Sequence, residues 1–287
     1  MRQLCIVHNP SAGSASSEGT IREAFAGLDV ELSFIEISDN LTVPDQTEVI
    51  VAAGGDGTVN AVAQWAFDHD RPMAVLPVGT LNHFAKDCGL PLELAEAARV
   101  AANAKPQPID CATLNGRVFV NNSSLGVYPA LVRGREKLSD RIGKWPAAVI
   151  AWFQVMRNLA SRHLTIIVDD YTYDLRTPLV FVGNNDYHLE QTGISNRTIL
   201  TAGELCIYMM RANTVRSFLR IGFRLFFGRP LKHKDFIETT GRSCTIHSSR
   251  LQASVGLDGE VGIFKTPLQY LIQPEKLAVC LPASAKH

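Results

Sequence analysis

The stretch that most limits how this chain can fold is Gly54-Gly55-Asp56-Gly57-Thr58. It directly follows the apolar run Val49-Ile50-Val51-Ala52 and precedes apolar residues at helical spacing, Val59, Val62, Ala63 and Ala66. An unbroken apolar run of this kind is how a strand covered on both faces reads, and that means a parallel sheet between layers of helix. The glycines let the backbone turn tightly and approach an anion with no Cβ in the way. The helix that follows presents unpaired N–H groups and the positive end of its dipole. Asp56 is placed to hold Mg²⁺, directly or through water, and Thr58 to cap the helix. No Gly-Lys-Ser/Thr follows, so this is not a Walker A loop. The bland alternative is a strand–helix turn whose glycines serve geometry alone; five such residues in this context favour phosphate binding.

The device recurs. Met73-Ala74-Val75-Leu76 reads as a strand and runs into Pro77-Val78-Gly79-Thr80-Leu81-Asn82-His83-Phe84-Ala85, a Gly-Thr turn with a helix start. Asn9-Pro10-Ser11-Ala12-Gly13 follows the strand-like Leu4-Cys5-Ile6-Val7. In a parallel sheet all three loops leave the carboxyl edge, where open α/β folds bind ligands. Together they predict a nucleotide cradle of Asn9, Pro10, Ser11, Gly13, Gly54, Gly55, Asp56, Gly57, Thr58, Asn60, Gly79, Thr80 and Asn82.

Strand-like and helical patterns alternate to about residue 104, with Val30 to Ile37 as a further strand and Glu18 to Leu28 and Leu92 to Ala104 as helices. This predicts an α/β, Rossmann-like N-terminal domain. The Pro106/Pro108 pair reads as a linker. Beyond it the pattern turns to closely spaced strands: Cys111 to Val120 folded about Asn115-Gly116, then Leu164 to Val168, Leu179 to Val182, Leu205 to Met210, Phe236 to Thr240 and Cys244 to His247. Two helices interrupt them, Trp145 to Ser161 and Thr214 to Phe227. The expectation is a nucleotide-binding domain over 1–108 and a mostly antiparallel, β-rich substrate domain over 109–287, with the last strand allowed to return to the first domain and the active-site cleft between the two.

Lys+Arg and Asp+Glu both count 28, so no global field draws the chain to nucleic acid, and none is expected as a partner. The six cysteines are scattered, several of them inside apolar runs, as reduced, buried thiols are. With no basic stretch leading into an apolar core at the N-terminus, a signal peptide is not expected, and the reading is cytoplasmic.

The set NPSAG, GGDGT and LPVGTLNHFA, in this order and spacing, resembles the diacylglycerol kinase catalytic-domain family, which includes soluble bacterial lipid kinases and the sphingosine and ceramide kinases. Asp110 in Pro108-Ile109-Asp110, the segment Phe119 to Gly126, Gly183-Asn184-Asn185 and Leu257-Asp258-Gly259-Glu260 extend the likeness. GGDGT alone is shared with NAD kinases. The resemblance implies two domains with ATP between them, and transfer of the γ-phosphate to a lipid hydroxyl with Mg²⁺ on the phosphates. It implies that Asp258 and Glu260 supply the proton acceptor and its partner carboxylate, and that Asp56 and Asp110, the latter through water, serve the metal.

This chain departs from the family pattern in several places. Ala61 stands where relatives commonly carry Glu, and His83 where many carry Asp. The segment Ser38 to Pro44 is short. Some bacterial diacylglycerol kinases bind a structural Mg²⁺ beside an acidic Asp-Gly turn, and the corresponding stretch here, Leu200-Thr201-Ala202-Gly203-Glu204-Leu205, lacks that acid, which speaks against a second metal.

Arg216, Arg220 and Arg224 share a helical stripe, interleaved with Phe223, Phe227 and other apolar residues. Such a helix can lie in a membrane interface, transiently and at the inner face, or pack on a sheet with its arginines in water; the two readings stand even. Two other functions remain open: an NAD-kinase-like enzyme with a soluble substrate, and a catalytically silent nucleotide-binding protein. The sequence leaves the oligomeric state open.

Overall fold

A computed structural model describes residues 1–9, 17–38, 40–126, 162–190, 193–197, 199–211 and 236–283. The chain forms two compact units, one of residues 1–121, 197–203 and 272–287, the other of 122–196 and 204–271.

The first unit is built on a parallel sheet. Its strands are β1 (Arg2–His8), β2 (Val30–Glu36), β3 (Val49–Ala53) and β4 (Met73–Leu76), joined by the second half of a long final strand, β18 (Leu268–Cys280). They lie in the order β2-β1-β3-β4-β18, and every neighbouring pair is parallel. The continuous apolar reading of β3 is explained by its two faces. Ile50 and Ala52 pack with α2 (Asp56–His69) and α3 (His83–Asp87), while Val49, Val51 and Ala53 pack with α1 (Glu18–Ala24) and α4 (Leu94–Asn103). The Arg2 guanidinium donates to the carbonyls of Ala101, Ala102 and Ala104 at 3.0, 3.2 and 2.9 Å, capping α4 with a positive charge where its dipole is negative. β5 (Pro106–Leu114) pairs with β18 and, antiparallel, with β6 (Arg117–Phe119). Asn115 and Gly116 both have positive φ, +49° and +85°, the backbone a two-residue hairpin favours.

The second unit contains an antiparallel sheet of β7 (Asn122–Gly126), β10 (Leu179–Asn184), β13 (Leu205–Met210), β14 (Phe236–Gly241), β16 (Gln252–Leu257) and β17 (Glu260–Lys265), in the order β14-β13-β10-β7-β16-β17. β8 (Arg162–Val168), β9 (Tyr171–Thr177), β15 (Ser243–Ser248) and the first half of β18 form a second antiparallel set. β11 (Tyr187–Glu190) and β12 (Gly193–Arg197) pair with each other. Tyr208 sits between Phe181 and Phe236 in the aromatic cluster of the larger sheet, and its hydroxyl donates to the Tyr187 carbonyl at 2.6 Å.

Several details differ from what the pattern predicts. Pro106 and Pro108 lie inside β5, not in an irregular connection. The first helix stops at Ala24, earlier than its apolar spacing suggests, because the chain turns through Gly27 at φ +79° into β2. β9 has no apolar run to announce it, since its alternation is of polar and charged residues on an exposed strand. β18 escapes the pattern because Pro274 interrupts it. The helices expected over Trp145 to Ser161 and Thr214 to Phe227, with Arg216, Arg220, Phe223, Arg224 and Phe227, lie outside the described residues.

Candidate active site

The loops after β3 and β4 are in backbone contact. A Cβ on Gly79 would fall on the Cα of Gly55 and within 2.9 Å of its nitrogen. No side chain fits at Gly79, which needs glycine for space rather than for φ, whereas a Cβ on Gly55 would meet the Gly79 Cα at 3.7 Å, an ordinary contact. Gly54 is held to glycine in another way: a Cβ there would strike the Thr58 side chain, which is buried against the loop. Gly55 is the N-cap of α2 and offers no side chain to the first-turn N–H groups. Those donors face a loop lined by glycine backbone, the arrangement that suits an anion.

Asp56 is the first residue of α2, and its Oδ1 is buried without a hydrogen-bond partner. A carboxylate oxygen left in that state is costly unless a cation or water meets it. Asn60, one turn on, is 5% exposed. Ala61 on the same helix leaves no carboxylate to reach back to the loop.

The second loop is clamped by Asn82. Its Nδ2 donates to the carbonyls of Pro77 at 2.9 Å and Gly79 at 2.8 Å, and its backbone is left-handed at φ +51° before α3 begins. Asn82, expected as a nucleotide contact, is therefore also the residue that shapes the loop. Thr80 and His83 are exposed at this edge. Asn9 directly follows the end of β1 at the same edge, while Pro10, Ser11 and Gly13 lie outside the described residues. His8, beside Asn9, is buried with its ring edge-on to Phe34, and its Nδ1 has no partner. The pattern of the sequence gave no reason to single it out.

Asp110, on β5, is 1% exposed and engaged on both oxygens. Oδ2 accepts the Gly203 N–H at 2.7 Å and Oδ1 the Glu275 N–H at 2.8 Å. Among the described residues no group of three His, Cys, Asp or Glu is placed to hold a metal ion. Asp56 therefore fits a cation shell completed by phosphate and water oxygens rather than by a protein cage.

In the second unit, Asp258 and Gly259 form the turn between β16 and β17, with φ +46° and +89°. The Asp258 N–H donates to the Asn122 carbonyl at 2.8 Å, and the Asn122 N–H donates to Asp258 Oδ1 at 2.9 Å. The carboxylate is thus fixed by the first residue of the neighbouring strand, and it is 7% exposed. Glu260 opens β17 and is exposed. At the same end of the sheet β10 finishes in Gly183-Asn184, with Gly183 opposite Asn122. Asn185 follows, fully buried, with neither atom of its amide partnered.

Residues 3–114 match the diacylglycerol kinase catalytic domain. Similar relatives include a diacylglycerol kinase of Bacillus subtilis, 26% identical over 221 residues, 75% of this chain and 72% of that one. A diacylglycerol kinase of Staphylococcus haemolyticus is 23% identical over 96% of this chain and 87% of its own length. In fold, the chain matches the crystal structure of a protein described as a diacylglycerol kinase from Bacillus anthracis, with a TM-score of 0.70, 22% identity and coverage of 99% of this chain and 96% of that one.

Proposed function

We propose that this chain, similar over residues 3–114 to the diacylglycerol kinase catalytic domain, is a lipid kinase that transfers the γ-phosphate of ATP to a hydroxyl of a diacylglycerol-like lipid, with Mg²⁺ on the phosphates. The observation that carries the nucleotide reading is the contact of Gly55 with Gly79, which joins two strand–helix loops into one side-chain-free floor beside the start of α2. Phosphoryl transfer asks mainly for positioning and for charge opposite the phosphate oxygens. The α2 N–H groups and the loop backbone supply the first, with Asn9, Thr58, Asn60, Thr80 and the clamped Asn82 around them. Asp56 is the residue that would hold Mg²⁺, whose charge offsets that of the β- and γ-phosphates.

The acceptor hydroxyl must lose its proton as it attacks. Asp258, held through Oδ1 by the Asn122 N–H, is the proposed acceptor, with Glu260 two residues away as the partner carboxylate. The Asn122 N–H and the turn set the orientation of the Asp258 carboxylate. The arginines over 216–224 are the proposed approach to an anionic lipid surface; among the described residues no helix is long and apolar enough to cross a membrane.

The test is transfer of label from γ-labelled ATP, with Mg²⁺, into diacylglycerol, monoacylglycerol, sphingosine, ceramide or phosphatidylglycerol in mixed micelles, with NAD as the soluble control. Label in diacylglycerol or monoacylglycerol supports the reading. Label in NAD alone overturns it.

A further inference from the structure

The long strand β18 passes from the second unit to the first at residues 271–272 and breaks shortly afterwards. Pro274 has no N–H to give a ladder, and Glu275 is left-handed at φ +52°. The peptide at this break needs a partner from outside the strand ladder. The 200–204 stretch has the same need, since Gly203 sits at φ +72° in a turn outside regular structure. One residue answers both. Asp110 accepts the Glu275 N–H on one oxygen and the Gly203 N–H on the other, and its own N–H donates to the Leu200 carbonyl at 3.0 Å. All four residues belong to the first unit.

The two bonds to the carboxylate are 2.7 and 2.8 Å, the length of charge-assisted contacts, and Asp110 is almost wholly removed from water. Two amide dipoles therefore face its charge, one on each carboxylate oxygen. A Mg²⁺ ion prefers six oxygen ligands in a near-octahedral shell. The turn contributes no carboxylate at 202 or 203, because those residues are Ala and Gly. The residues present do not fit a metal here.

We infer that Asp110 fastens the 200–203 turn and the β18 break to β5 by its carboxylate alone, with no divalent cation at the stretch that corresponds to the structural metal site of some bacterial diacylglycerol kinases. Asp110 is on this view a positioning residue of the frame, and the metal of the reaction belongs to Asp56.

The test reads stability rather than turnover and uses the full chain without nucleotide. The Asp56→Asn variant, which removes the proposed catalytic metal position, is stripped with EDTA and melted with and without 10 mM Mg²⁺ or Ca²⁺, the working concentration being about that of a weak site. The two melting temperatures agree within ~1 °C. A rise of several degrees with either ion overturns the inference. In Asp110→Asn one backbone N–H meets an NH₂ group, and the melting temperature falls by at least ~4 °C whether or not metal is present. Hydrogen exchange at the Gly203 and Glu275 amides then speeds up by at least ~10-fold. Unchanged exchange at those amides in a folded Asp110→Asn overturns the clasp. Should that variant not fold, the wild type decides: slow exchange at both amides after EDTA treatment supports the clasp, and protection lost on removing metal refutes it.

Discussion

Gly79 stands so close to Gly55 that the Cα of one occupies the space a Cβ on the other would need. Two loops separated in sequence by α2 and β4 are thereby locked to one spacing. Gly79→Ala forces them apart at the proposed phosphate floor. The expected result is a loss of ATP·Mg²⁺ affinity of at least ~10-fold with far-UV circular dichroism unchanged, measured by titration calorimetry. Gly19→Ala is the control, since nothing lies within 4 Å of a Cβ there and the residue is helical; it binds as wild type.

Asp56→Ala and Asp258→Ala are each expected to slow phosphate transfer by at least ~100-fold, on the scale of lost metal or acid–base groups. Asp258→Asn is the sharper variant. Asparagine tolerates the left-handed backbone of the turn and can still accept the Asn122 N–H, but it is no base. Its melting temperature stays near that of wild type while its kcat falls. A folded Asp258→Asn with wild-type kcat removes Asp258 from the mechanism.

Acid stability has a named contributor in Asp169, at the turn between β8 and β9. Burial works to raise its carboxyl, but the N–H groups of Arg242 and Ser243, the Ser243 hydroxyl and the Arg242 charge outweigh it and hold it below the usual value. The ionised form is the one the fold binds. Its stabilisation is therefore complete above about pH 4, the unfolded value, and is lost as pH falls through the lower folded value. Because the site is exposed, about 1 kcal/mol is expected. Asp169→Asn keeps the left-handed turn, lowers the melting temperature at pH 7 and closes the gap to wild type below pH 3. A gap of equal size at both ends of the pH range contradicts the assignment.

Six buried thiols make a fourth expectation. Burial pushes Cys111 and Cys244 up to about 12, with the charges of Asp110 and Asp169 adding to it, and Cys206 up to about 11. The thiolate is the reactive form. The native chain should leave all six unlabelled by iodoacetamide at pH 8 over a time in which the urea-unfolded chain labels fully, read by intact mass.

The sequence carries the first unit's sheet plainly, because β1, β3 and β4 are buried on both faces and need continuous apolar runs. The hairpin at Asn115-Gly116 was legible for a similar local reason, as its turn demands positive φ at two successive positions. What was not legible depends on residues far apart. The role of Asp110 is set by Gly203 and Glu275, and nothing near residue 110 announces either. The clamp made by Asn82 is local but invisible to pattern, since any Asn beside a turn looks the same until its amide finds two carbonyls. β9 is hidden because an exposed edge strand has no apolar face to display.

The course of β18 bears on how the chain comes off the ribosome. Val279 lies beside Met73, and Leu277, Val279 and Cys280 complete the hydrophobic layers on both faces of the first unit. Met73 is synthesised long before any of them. Until they emerge, β4 lacks its outer neighbour and the nascent unit holds an open seam of unpaired peptide and bare apolar side chains. A fragment cut after residue 121 would keep that seam permanently. An expression fragment meant to isolate the nucleotide-binding half must therefore graft the closing strand back on, or it will precipitate for reasons unrelated to catalysis.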